Sequence, residues 1–142
     1  MTKVILIHGV PSSGKTTLSE KIIKRLPSNV VSEASVRNIT GISGKTANDY
    51  KKISEISRLI AECYVTDSDD YLIIDEVGLT DKIRSNYDAH GEIFMNTITG
   101  DSSDASVQSL FETTNIRDGQ DFKIDNFNYD SDSIINFIKN IK

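Results

Sequence analysis

Eight residues, Gly9-Val10-Pro11-Ser12-Ser13-Gly14-Lys15-Thr16, restrict what this chain can fold into more than any other stretch. They satisfy the spacing GxxxxGK[ST] between two segments of opposite character. On one side lies KVILIH, from Lys3 to His8, a β-branched run too short for a helix and ended by glycine, which reads as a buried strand. On the other, Leu18, Ile22 and Leu26 recur at helical spacing until Pro27, which cannot continue a helix. The order strand, loop, helix is the one in which such a loop works. Glycines let the backbone curl so that its N–H groups converge on phosphate oxygens, and the helix start adds partial positive charge. Lys15 then supplies a point charge for the β- and γ-phosphates, the Thr16 hydroxyl suits Mg²⁺, and Thr17 is placed for the α-phosphate. The loop predicts a nucleoside triphosphate, ATP or GTP, with Mg²⁺ as cofactors.

A second SGKT, Ser43 to Thr46, matches only four letters. Position 39 is Ile where glycine is required, and no strand precedes it, so the segment reads as a turn and N-cap for a helix from Lys45 or Ala47 to about Tyr64. Ile53, Ile56, Ile60 and Cys63 form the expected apolar stripe of that helix, which makes Cys63 a buried small apolar residue. Val30 and Val31 mark a second strand, followed by the helical segment SEASVRNI. Tyr71 to Ile74 is a third strand, Thr80 caps a short helix carrying Ile83 and Tyr87, and Glu92 to Thr97 is a fourth strand. The polar stretch from Gly100 to Gly119 suits either a lid or a helix near Val107 to Phe111. Phe122 to Ile124 is a fifth strand, and Ser131 or Asp132 caps a last helix with Ile134, Ile135, Phe137, Ile138 and Ile141 inside. Strands alternating with helices require crossover connections. The expected fold is therefore α/β in three layers, a mostly parallel five-stranded sheet with helices on both faces and ligands at the carboxyl ends of its strands.

With 142 residues the chain fits one domain, residues 1–142. No apolar run approaches the ~18 residues of a membrane span, so no membrane partner is expected, and MTKVILIHGV runs into a glycine loop without a cleavage site, which predicts a cytoplasmic protein. The net charge of −5 is divided unevenly: residues 1–66 hold ten Lys/Arg against five Asp/Glu, and the remainder six against sixteen. A polyanionic ligand favours the first half, and the acidic second half disfavours nucleic acid as a partner. Self-association into a homo-oligomer stays open at this stage.

Phosphoryl transfer is mainly positioning and charge neutralisation, so it needs Mg²⁺-organising carboxylates, cations, and a group that orients the attacking oxygen. Asp75 directly follows an apolar strand, as the carboxylate of a Walker B segment does, and is a candidate for Mg²⁺. Glu76 is placed to polarise a hydroxyl or a water. Arg37, on the helical segment after the second strand, is suited to grip an acceptor's phosphate or sulfate, and Arg84 and Arg117 are further cations for transition-state charge.

With these residues in view, the chain resembles the small P-loop kinases and most nearly the adenylylsulfate kinases. IHGVPSSGKTTLSEKI is similar to that family's opening strand, loop and helix, VSEASVRNITGIS to its acceptor-binding segment, and KKISEISRLIAEC to the helix that follows, with weaker similarity including TGDSS near residue 100. The Val36-Arg37 and Gly41-Ile42-Ser43 elements carry the narrower likeness. The family's two aspartates before Val-Arg correspond here to Ser32 and Ala34, with Glu33 between them. The layout is also similar to polynucleotide kinases, which again place an aspartate where this chain has none. The reading is an ATP-dependent kinase acting on a hydroxyl of a small, anionic or nucleotide-like acceptor. In it Lys15 and Arg37 neutralise charge, Thr16 and Asp75 hold Mg²⁺, and Glu76 or Glu33 orients the acceptor. The rival readings are a hydrolase or switch in which Glu76 activates water, and a degenerate kinase that binds nucleotide without turnover.

Overall fold

The structure, a computed structural model, describes residues 1–97, 110–112 and 116–142. Its elements in chain order are β1 (Lys3–His8), α1 (Lys15–Ile23), β2 (Ser28–Ser32), α2 (Glu33–Thr40), α3 (Ala47–Tyr64), β3 (Tyr71–Asp75), α4 (Asp81–Ser85), β4 (Gly91–Met95), β5 (Asp121–Ile124) and α5 (Ser131–Lys139). The five strands form one sheet in the order β2-β3-β1-β4-β5, and every neighbouring pair is parallel. This is the α/β fold expected from the alternation of strands and helices, with a sheet wholly rather than mostly parallel.

Side-chain alternation along β1 explains the layers. Ile5 and Ile7 point to the face covered by α1 and α5, where they meet Leu18, Ile22, Ile134 and Ile138. Val4 and Leu6 point to the other face, toward Leu72, Ile74, Ala61 and Tyr87. A strand buried on both faces can afford no polar residue in its middle, which is why KVILIH reads as an unbroken apolar run. The chain crosses over between β1 and its neighbour β3, so β2 is laid on the outside and the carboxyl ends of β1, β3 and β2 come side by side.

Several expectations shift. The inner face of α3 is Tyr50, Ile53, Ser54, Ser57 and Ala61, not the stripe ending at Cys63. Cys63 is exposed, with its thiol against Leu59 O, because the inner side runs from Ile53 through Ser54 and Ser57 to Ala61 and turns Cys63 outward. β4 stops at Met95, after which Asn96 N still donates to Ile124 O at 2.8 Å while the Asn96 and Thr97 side chains bond Asp125 and Ser13 O. α5 is capped by Asp130, one residue before Ser131 and two before Asp132. Residues 98–109 and 113–115, which include TGDSS and most of the lid or helix expected after Gly100, lie outside the described residues. Among the described residues no helix is long and apolar enough to cross a membrane.

Candidate active site

The loop after β1 is pinned on three sides. Gly9 N donates to Val77 O at 3.2 Å, Ser13 N to Val10 O at 3.3 Å, and the Thr97 hydroxyl to Ser13 O. A Cβ at Gly9 would stand 2.6 Å from Met95 O and 2.8 Å from the Ser13 hydroxyl, so only glycine fits where the loop presses on the end of β4. Gly14 takes the left-handed conformation at φ 94° and leaves α1 without a side-chain cap. The first N–H groups of α1 therefore face a cavity of about 380 Å³ lined by Ser12, Gly14, Lys15, Thr16, Thr17 and Phe127. Uncapped N–H groups around an open cavity are the arrangement that receives an anion at a helix start.

Lys15 is buried and folded back on the loop, its Nζ donating to Gly9 O at 3.1 Å and Val10 O at 3.0 Å. Burial lowers the pKa of this ammonium, and the charges of Asp75 and Glu33 oppose the shift. Thr16 Oγ1 donates to Asp75 Oδ2 at 3.0 Å. Asp75 ends β3 opposite Ile7 of β1 and Ser32 of β2, so the register alone brings it beside the loop. Its burial raises the carboxyl pKa, and Lys15 and the Thr16 hydroxyl pull it back. The pair of one hydroxyl and one carboxylate suits Mg²⁺, which keeps most of its coordination for water and phosphate oxygens. Among the described residues no cluster of three or more His, Cys, Asp or Glu forms a protein-only metal cage, and a nucleotide-bound Mg²⁺ needs none.

The α2 residues complete the site. Ser32 caps α2, and Glu33, the first residue inside it, reaches across to accept Val77 N at 3.0 Å through Oε1. Its Oε2 pairs with Arg37 Nη2 at 2.6 Å, one helical turn on. The same Nη2 donates to the Tyr50 hydroxyl at 3.1 Å, and Arg37 Nε is buried with no hydrogen-bond partner among the described residues. Ser32, the residue before Glu33, pairs with Asp75 in the sheet, and Asp75 accepts from Thr16 beside Lys15, so the Glu33–Arg37 pair stands at the same end of the sheet as the loop.

Glu76 differs from the expectation of a group open to a hydroxyl or a water. It is 2% exposed, and its carboxyl accepts from Ser54 Oγ at 3.3 Å and from the Tyr87 hydroxyl. Burial raises its pKa to about 8, against the pull of the Tyr87 hydrogen bond. Arg84 is also structural: it is 3% exposed, donates to Gly78 O at 2.5 Å and pairs with Asp81, which ties down the loop after Glu76. Arg117 holds Asp121 and Glu92, each near the amino end of its strand, so it stands away from the phosphate loop. The second SGKT is a turn, and Thr46 forms a capping box with Asp49.

Sequence reasoning passed over Thr97, Tyr50, Ser54 and Tyr87, whose roles depend on contacts between segments far apart in the chain. Phe127 had a partial signal. It lies in the polar turn between the fifth strand and the last helix, and it is half-exposed with its ring against Gly14.

Comparison with known proteins agrees with this fold. A family model described as "AAA domain" matches residues 1–129. No curated protein sequence matches the chain. Among solved structures, the Mycobacterium tuberculosis APS kinase CysC in complex with AMPPNP and APS superposes with a TM-score of 0.64 at 14% identity, covering 97% of this chain and 98% of that one. A gluconokinase from Sinorhizobium meliloti 1021 gives 0.62 at 16%, covering 95% and 88%. A sugar kinase from Janibacter gives 0.59 at 15%, covering 99% and 94%. Identities this low speak for the fold alone. With the loop, the strand order and the family match in agreement, the chain belongs to the AAA domain family and carries the fold of the P-loop kinases.

Proposed function

We propose that this chain is an ATP-dependent kinase that transfers the γ-phosphoryl group to a hydroxyl of a small anionic or nucleotide-like acceptor. The observation that carries the reading is the Glu33–Arg37 pair standing at the same sheet end as Lys15, Thr16 and Asp75. A nucleotide-binding loop alone requires no such second pair of charges.

In this reading the loop N–H groups and Lys15 hold the β- and γ-phosphates, and Thr16 and Asp75 would hold Mg²⁺, which would supply charge neutralisation to them. To do so Lys15 exchanges its bonds to Gly9 O and Val10 O for phosphate oxygens. Phe127 offers a ring beside Gly14 on which a purine base stacks. Arg37 receives the acceptor's anionic group through donors that its contact with Glu33 leaves over. Glu33, not Glu76, is then the carboxylate nearest the incoming hydroxyl. As the acceptor oxygen bonds to γ-phosphorus and the bond to the β–γ bridging oxygen breaks, the hydroxyl proton passes to Glu33 and ADP leaves. Glu76, held by Ser54 and Tyr87, positions the end of β3 from behind.

The test is ADP release measured with and without a panel of nucleotides, sulfonucleotides and sugar acids. Release that depends on one acceptor class supports the kinase. Equal release without any acceptor rejects it in favour of hydrolysis, and nucleotide binding with no release under any condition points to a degenerate binder.

A further inference from the structure

Between α3 and α4 lies a second cavity of about 260 Å³, separate from the phosphate loop. Its wall is apolar where it meets the body of the protein: Leu79 and Ile83 are buried there, and Ala47 closes one end. Its lining carries three cations, Lys51, Arg58 and Lys82, against the single carboxylate Glu55. The ammonium groups of Lys51 and Lys82 form no hydrogen bond or ion pair with the described residues, and Arg58 shares one nitrogen with Glu62 at 3.1 Å. A locally positive, apolar-floored recess on a chain of net charge −5 is out of keeping with its average surface. The size falls just under the ~300 Å³ at which pockets for drug-sized ligands begin.

We propose that this cavity binds a small amphipathic anion, a carboxylate head on a short apolar body, with the body against Leu79 and Ile83 and the head between Lys51 and Lys82. Two features select that chemistry. A purely polar anion gains nothing from the buried wall, and a neutral apolar molecule leaves both ammonium groups unused. The site also has a physical connection to the nucleotide end. Ser54 lines the cavity and donates to Glu76, the neighbour of Asp75, so an occupant lies one hydrogen bond away from the carboxyl that backs the end of β3.

Octanoate and octanol, identical in chain length but different in head charge, provide the test by amide NMR titration of the whole chain with and without saturating Mg²⁺ and ATP. Octanoate is expected to give saturable shifts centred on Lys51, Ser54, Thr80 and Ile83, to bind more tightly than octanol, and to persist when nucleotide is present. The Lys51→Gln, Lys82→Gln double variant, altered only at exposed side chains, should keep the wild-type spectrum and weaken octanoate about tenfold, the loss expected from two partly exposed charge contacts. The proposal is overturned by any of three results: no saturable shift, equal binding of octanol and octanoate, or shifts that centre on Ser12 to Thr17 and vanish with ATP. The readout does not involve phosphoryl transfer, so failure of the kinase reading and failure of this one are separate outcomes.

Discussion

In the proposed function, Lys15 is the residue on which nucleotide recognition turns. Because it is buried and bonded only to loop carbonyls, Lys15→Ala should leave the fold in place and abolish calorimetric binding of Mg²⁺ and ATP; normal binding by the variant would remove the basis of the site. Arg37 makes the complementary case. Arg37→Ala should raise the acceptor KM by about tenfold to a hundredfold, as loss of a charge-assisted contact does, while ATP affinity stays within about twofold. Glu76 gives a pH signature with a definite sign. Its folded pKa of about 8 lies above the ordinary glutamate value of 4.5, so between these values the folded chain holds a proton that the unfolded chain has released. Its contribution to stability is full below pH ~4.5 and falls as pH rises toward 8. Denaturation midpoints of the wild type should therefore decline across that window relative to Glu76→Gln, and parallel profiles for the two proteins would show that Glu76 does not titrate there.

At the scale of elements, the site depends on how helices are started. α1 begins at a glycine with no side-chain cap, which leaves its N–H groups for a ligand, whereas α2, α3 and α4 begin at Ser32, Thr46 and Thr80, each accepting from its own helix. The exception among these starts is the one that the proposed function assigns to phosphate. Thr46→Ala should cost about 1 kcal/mol through loss of the capping box, measured by chemical denaturation, with ATP affinity unchanged because the second SGKT holds no phosphate. Reduced ATP affinity in that variant would show that the helix start at Thr46 does more than cap. Sheet register does the remaining work: the pairings Ile7 with Asp75 and Ser32 with Asp75 bring three strand ends level, and the catalytic candidates leave from those ends.

For the molecule as a whole, the folded state should be stabilised by its ligand through mass action. Mg²⁺ and ATP at about a hundred times their dissociation constant should add ~2.7 kcal/mol and raise Tm in the wild type, and should leave Tm of Lys15→Ala unmoved. An equal rise in both would mean that nucleotide binds elsewhere. Much of this architecture is legible in local pattern. The Gly9 to Thr16 loop, the strand KVILIH, the capped helices and the parallel sheet follow from periodicity, turn residues and the steric demands of glycine and proline, all of which act over a few residues. The facts that pattern could not reach are those of contact between distant segments. Cys63 faces solvent because Ser54 and Ser57 take the inner side of α3. Asp75 and Glu76 look equivalent as neighbours in sequence, yet opposite side-chain directions on a strand end send one to Thr16 and the other to Ser54 and Tyr87. Glu33 is a single acid in a helical segment until packing sets it between Val77 and Arg37. Local sequence therefore determined the elements and the phosphate loop, because backbone sterics and hydrophobic period are short-range. Tertiary structure alone decided which carboxylates share the loop's end of the sheet, because burial and pairing depend on residues some forty to sixty positions apart.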